Sequence, residues 1–287
     1  MTTILVSGAK GTIATQVIHA LEGQAGVTVR AGVRNPANAK ELARGNVSPV
    51  ELDYERPETL AAAVKGVDKV FLLTPFDARQ VEFGKALVDA AKAAGVKQIV
   101  KLSAMGCEHE PGIQLGRWHR AVEKHIEASG IAYTFLRPNN FFENFVNYYP
   151  PGKDGNIYLP WGDGACSFVA AADIGAVAAA VLTKPGHENK AYVLTGPEAI
   201  TIGQAARAIG EVSGRDVRYV DVPEEAAKQA MAGMGMPAFA VDAMAELHAI
   251  DKAGYAAAVS GDVKAILGRE PTSFLEFAKK NAARWKA

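Results

Sequence analysis

Six short apolar runs alternate along the first half of the chain with longer stretches whose apolar residues recur every three or four positions. The short runs are TILVSG, VTVRAGV, NVSPVEL, KVFLLTP, KQIVKLSA and AYTFLRP, each bounded by glycine, proline or polar residues. They are apolar enough to be buried on both faces and read as strands. Between them, TIATQVIHALEG sets Ile13, Val17 and Leu21 on one helical face. VEFGKALVDAAKAAG does the same with Phe83, Leu87, Ala90 and Ala94 before stopping at Gly95. Alternating periods of this kind predict βαβ units with right-handed crossovers, hence an α/β fold with a doubly wound parallel sheet.

The 287 residues are enough for one large domain carrying a smaller lobe. Near Tyr149-Pro150-Pro151-Gly152 the composition turns to Pro, Gly and Asn. This places a principal domain at 1–150 and a smaller C-terminal α/β lobe at 151–287, packed on the carboxyl edge of the sheet, where open α/β sheets bind ligands. The helix at about 171–183, ADIGAVAAAVL, is expected to return to the main sheet, with Asp173 as its N-cap. No internal repeat occurs at a solenoid period.

Arginine plus lysine number 31 against 31 aspartates plus glutamates, which argues against a nucleic-acid partner. No apolar run reaches the length of a membrane span, and the N-terminus is a strand pattern and not a signal core. Two cysteines without CxxC spacing, Cys107 and Cys166, fit a reducing, cytoplasmic setting. Six scattered histidines form no metal-binding spacing, so no metal is expected.

The first strand runs into SGAKGTIA. A phosphate-binding turn needs glycine at the sharp bend and where backbone nears the phosphate. It also needs a small residue where helix packs on strand, and a free helix N-terminus. Gly8, Gly11 and Ala14 suit those places, with Thr12 and Ile13 opening the helix; a tight turn alone is the other reading. The second strand ends in Arg34 and carries no carboxylate for ribose hydroxyls. A guanidinium there suits a 2′-phosphate, with Lys10 as a second charge, so NADP(H) is favoured and NAD(H) remains open. The ends of the third and fourth strands add Asp53 and Tyr54, then Thr74, Pro75 and Phe76, as a rim for adenine and nicotinamide. Asp53 is equally suited to cap the turn before ERPETL.

The glycine spacing, Arg34, LSA after the fifth strand, AYTFLRPNNFFENF and VLTKPGHENKAYVLTGPEAIT together make the chain similar to the NmrA-like branch of the atypical short-chain dehydrogenases. It resembles the quinone, triphenylmethane-dye and azo-dye reductases of that branch over nearly its whole length. The resemblance implies a Rossmann-type NAD(P) domain with a small C-terminal substrate lobe. The family also holds non-catalytic redox sensors that bind dinucleotide. The YxxxK pair of ordinary short-chain dehydrogenases is missing: LGRWHRAVEKHIEASG has no tyrosine, which counts against a sugar-nucleotide epimerase.

At about 100° per residue, His119 shares a helix face with Leu115, Val122 and Ile126 and is expected to point inward. It is the candidate catalytic residue, donating a proton or binding substrate as hydride reaches an acceptor; the bland reading is a core histidine satisfied by Glu123. Ser103 matches the strand-end serine of the family and joins the cofactor candidates. For a flat aromatic or quinoid substrate, Asn140, Phe141, Phe142 and Trp161 are the candidate contacts, although the phenylalanines suit a core equally. Phe168, Met231, Met234 and Met236 are lid candidates, with core packing as the other reading for the methionines. Cys107 reads as a buried bystander, and a monomer or homodimer is expected.

Overall fold

The computed structural model describes residues 1–286. The chain divides into two compact units. The first comprises Met1–Gly112, Gly116–Arg137 and Ile174–Tyr192; the second comprises Ile113–Leu115, Pro138–Asp173 and Val193–Ala287.

The chain opens with β1 (Thr2–Val6), α1 (Thr12–Leu21), β2 (Val27–Val33), β3 (Val47–Glu51), α2 (Pro57–Val64) and β4 (Lys69–Leu72). It continues through α3 (Gln80–Ala93), β5 (Gln98–Leu102), α4 (Gln114–Ser129) and β6 (Ala132–Pro138). After α5 (Asn144–Asn147), β7 (Asn156–Leu159) and β8 (Ala165–Cys166) come α6 (Ala171–Thr183) and β9 (Lys190–Leu194). The remainder is β10 (Ile200–Thr201), α7 (Ile202–Ser213), β11 (Arg218–Asp221), α8 (Glu224–Gly233), α9 (Ala238–Lys252), α10 (Asp262–Leu267) and α11 (Phe274–Asn281).

Seven strands form one sheet in the order β3-β2-β1-β4-β5-β6-β9. β1 pairs in parallel with β2 and β4, matching Val6 to Ala31 and to Phe71, and the parallel ladder runs on through β5 to β6. Strand order reverses between β1 and β4, so the turn after β1 opens at the switch point where doubly wound sheets bind ligands. The first six strands fall where the alternation places them. The seventh, KAYVL, comes from the later half of the chain and lies beside β6.

Helices α2 and α3 cover one face of this sheet. Leu60, Ala63, Leu87, Val88 and Ala91 pack with Leu5, Val70, Ile99 and Phe135 into one buried cluster. Each leucine, valine, isoleucine or phenylalanine of the cluster contributes about 1.5–3 kcal/mol on burial. Gly175 of α6 lies so close to α1 that a Cβ would sit 2.6 Å from Gln16 backbone carbon. Only glycine allows the two helices that approach.

The second unit has its own aromatic core. Phe142, Phe145, Phe168, Trp161, Phe274, Phe277 and Trp285 are all buried there. Trp161 stacks on Phe168 with centroids 5.7 Å apart, and Phe142 meets Phe274 edge-on at 5.2 Å. Capping boxes start α7 at Thr201 and α11 at Ser273. Asp173 is not the N-cap of α6: it is the helix's third residue, fully buried, and accepts from Arg269 Nη2 at 2.6 Å and Thr272 N at 2.7 Å. Glu143 takes the capping role instead, receiving Ala171 N on both carboxylate oxygens at 3.1 and 3.0 Å. A glutamate from a distant turn meets that amide, a contact no local spacing announces. Among the described residues no helix is long and apolar enough to cross a membrane.

Candidate active site

The turn after β1 is held by Ser7, whose hydroxyl donates to Leu73 O at 2.9 Å and accepts from Leu73 N at 2.8 Å. This clips the carboxyl ends of β1 and β4 together. Gly8 adopts φ +65°, and a Cβ there would come within 3.0 Å of Leu73 Cδ2, so the bend requires glycine. Gly11 donates its N–H to Gly8 O at 2.8 Å and begins α1 with no side-chain cap and no acidic residue in the first turn. The first-turn amides are therefore left for an outside acceptor, the condition for anion binding at a helix N-terminus. Thr12 is exposed at this end, whereas the Ile13 side chain is buried in the core and only its amide is available.

Arg34, just past β2, is exposed, and its guanidinium makes no hydrogen bond or ion pair among the described residues. Lys10 is engaged: its ammonium donates to Asn38 O and lies 3.2 Å from Glu41. Asp53 caps the following turn, accepting Glu55 N at 3.1 Å, while its own N–H binds Thr59 Oγ1 at 2.9 Å. Tyr54 donates to Leu73 O at 2.8 Å and stacks on Phe83 at 5.4 Å. Burial holds the phenol well above its ordinary pKa, with Ser7 opposing. Thr74 is half-buried and Pro75 exposed after β4. Phe76, 48% exposed, meets Trp118 of α4 in an edge contact at 6.2 Å.

The chemistry-bearing cluster lies where α4 crosses the end of β5. His119 does not pair with Glu123. Its Nδ1 lies 2.9 Å from Nζ of Lys101, a lysine only 1% exposed that also donates to Leu102 O at 2.8 Å. Burial, and secondarily the Lys101 charge, pushes the imidazole pKa well below its ordinary value, so the ring is neutral at physiological pH. Its Nε2 has no partner among the described residues and is not sealed from the surface.

Glu123 is fully buried one turn further on. It accepts from Ser103 Oγ at 2.6 Å, Arg137 Nε and Nη2 at 3.0 and 2.8 Å, and Arg120 Nη1 at 3.1 Å; Cys107 Sγ approaches at 3.3 Å. Burial alone would raise this carboxyl, but the bonds from Arg137 and Ser103 outweigh it and leave the pKa below the ordinary value. Burial and the Glu123 charge push the Cys107 thiol up, which leaves it an inert neighbour. Ser103, expected at the cofactor, has its hydroxyl proton directed to Glu123.

The proposed substrate contacts of the second unit divide. Phe142 and Trp161 are 2% and 1% exposed and form its aromatic core, which corrects their expected place at a substrate surface. Phe168 is buried with them. Asn140 donates to the Asp251 carboxyl at 3.3 and 3.4 Å. Phe141 is half-buried and bridges Val169. Met231 is buried, whereas Met234 is 77% exposed. Lys101 and Arg137 were not singled out in the sequence. A lysine inside the apolar run KQIVKLSA was the available signal, because an unpaired ammonium is rarely buried.

The model of the NmrA-like family matches residues 1–278. The NAD(P)H azoreductase of Xenophilus azovorans is 43% identical over 285 residues, 99% of each chain. The structure of an Escherichia coli NADPH-dependent quinone oxidoreductase with NADPH superposes with TM-score 0.87 at 30% identity, covering 96% of this chain and 99% of that one. That of Citrobacter sp. triphenylmethane reductase with NADP(H) gives TM-score 0.84 at 31% identity, covering 98% and 99%.

Proposed function

Because the chain belongs to the NmrA-like family, we propose that it is an NAD(P)H-dependent reductase of flat conjugated acceptors of the quinone, azo-dye or triarylmethane-dye type. The observation that carries this reading is the juxtaposition at one sheet edge. The carboxyl ends of the neighbouring parallel strands β1, β4 and β5 bear, in turn, the open glycine turn, the Phe76 loop and the Lys101–His119 pair. Names and activities of the relatives support it.

The turn fits a dinucleotide. Gly8 and Gly11 leave no Cβ in the cradle, and the α1 amides of Thr12 and Ile13 would hold the pyrophosphate. Arg34 would hold a 2′-phosphate, its guanidinium having no competing carboxylate. Tyr54, Thr74 and Pro75 would flank the cofactor. Bound NAD(P)H supplies the hydride. The chain then positions a flat ring beside exposed Phe76 and half-buried Trp118 and presents His119 Nε2–H to the acceptor oxygen or nitrogen. The two cysteines are free and buried, which supports a cytoplasmic setting; a small aromatic or quinoid substrate and a monomer or homodimer belong to the same reading.

Incubation with NADPH and a panel of quinones, azo dyes and triarylmethane dyes, followed by loss of the reduced cofactor's absorbance, tests the reading. Oxidation with at least one class is expected; tight NADPH binding with no acceptor consumed would instead make the protein a dinucleotide sensor. Arg34→Ala should weaken NADPH about tenfold, the effect of losing one exposed charge-assisted contact worth about 1.4 kcal/mol, while NADH changes little. Equal losses for both cofactors would remove Arg34 from the site.

A further inference from the structure

We propose that Lys101 holds His119 as its Nε2–H tautomer and refills that proton during turnover, as a positioning residue acting through the imidazole. The proposal rests on the reading that His119 meets the acceptor.

An ammonium has three N–H donors and no acceptor. Facing protonated Lys101 at 2.9 Å, Nδ1 can only accept, so the ring proton sits on Nε2, the open edge. The neighbouring Leu102 carbonyl takes a second Nζ proton at 2.8 Å and keeps the ammonium in place. The same contact also tolerates the reversed arrangement, with Nδ1–H donating to a neutral amine. These are the two ends of a relay.

A neutral imidazole that surrendered Nε2–H alone would be left anionic. With Lys101 behind it, the balance closes. The hydride brings two electrons to the acceptor, whose oxygen or nitrogen then carries a negative charge. Nε2–H breaks as the new O–H or N–H bond forms, and Nζ–H breaks as Nδ1–H forms. Reduced acceptor, His119 and Lys101 all end neutral. After release, solvent protonates Nε2 while Nδ1–H returns to Nζ.

The surroundings suit the exchange. Burial brings Lys101 down to about 8, moderated by the Glu123 carboxylate and Cys107 and reinforced by the Arg137 charge. Among the described residues, the only charged group acting on the imidazole is Lys101 itself. Glu123 does not compete for the proton, because Arg137, Arg120 and Ser103 occupy its oxygens.

The test has two arms. Histidine-selective nitrogen NMR of the cofactor-free protein, assigned with His119→Gln, should show His119 neutral with the proton on Nε2, and Nδ1 should shift as Lys101 titrates. Lys101→Met should lose that tautomer preference. Lys101→Arg should keep it, because arginine donates but does not deprotonate in this range.

The second arm compares acceptors. A triarylmethane cation becomes neutral on gaining hydride and needs no proton; a quinone needs one. Both Lys101 variants should therefore lose about a hundredfold more kcat with the quinone than with the cation, the usual scale of proton assistance. Equal losses on the two acceptors, rescue of the quinone reaction by arginine, or an unchanged tautomer in Lys101→Met would overturn the proposal. Failure of the wild-type protein to reduce either acceptor would instead overturn the reductase reading, and the NMR arm would still decide the tautomer.

Discussion

Replacing Glu123 by glutamine separates a buried charge hub from an ordinary surface ion pair on the same helix. The carboxylate is fully buried beneath α4, and Oε2 receives Arg137 Nη2 at 2.8 Å and Arg120 Nη1 at 3.1 Å. In Glu123→Gln an amide nitrogen placed there would confront two guanidinium donors, and Arg137 would lose its bidentate partner. Removing one member of a buried pair costs about 3–5 kcal/mol. Glu108 at 3.2 Å from Arg137 and Glu127 at 2.9 Å from Arg120 recover part of it, leaving about 3 kcal/mol by the same scale. For a chain of this size that is a fall of about 5 °C in Tm. Glu127→Gln, also on α4 but 34% exposed, should cost less than about 1 kcal/mol.

Differential scanning calorimetry of both variants at neutral pH is the assay. Because the native Glu123 pKa is depressed, its stabilisation is present above the unfolded value of about 4.3 and fades on acidification. The gap between wild type and Glu123→Gln should therefore close as pH falls below that value. Equal shifts for the two variants, or a gap that persists in acid, would refute the account of a buried, charge-satisfied hub.

Asp251 has the opposite sign. Burial raises its pKa to about 8, with only Asn140 opposing, so its stabilising contribution is present in acid and is lost as pH rises toward that value. Asp251→Asn should gain about 2–3 kcal/mol on wild type between pH 5 and pH 7, read by urea unfolding, because each pKa unit is worth about 1.4 kcal/mol; a pH-independent difference would contradict it. Gly8→Ala must place a side chain at φ +65° against Leu73. It should cost about 1–2 kcal/mol in stability and weaken NADPH and NADH alike in a binding titration, since the turn and not the 2′-phosphate contact is damaged. Loss of NADPH binding alone would be inconsistent with this.

Local periodicity carried most of the sheet. Strand and helix runs are set by residues within a few positions of each other, and TILVSG through AYTFLRP announce their six strands for that reason. The glycine turn was legible on the same grounds, since Gly8 and Gly11 answer to the bend they themselves make. The cap on α6 was misread because its acceptor, Glu143, lies 28 residues from Ala171.

The aromatics were ambiguous for a different reason. A phenylalanine or tryptophan suits a packed core and a flat ligand equally, and only packing assigned Phe142 and Trp161 to the core of the second unit. His119 was visible as an inward-facing imidazole, but its partner was not. Glu123 stands four residues away on the same helix, whereas Lys101 is 18 residues away on β5. The sequence by itself determined the alternating α/β chain, its glycine turn and a histidine on the inward face of α4. Tertiary structure alone decided which charges are buried together. Desolvation and partner choice depend on what crosses a strand end in space, and in that arrangement Glu123 went to Arg137 and Lys101 to His119.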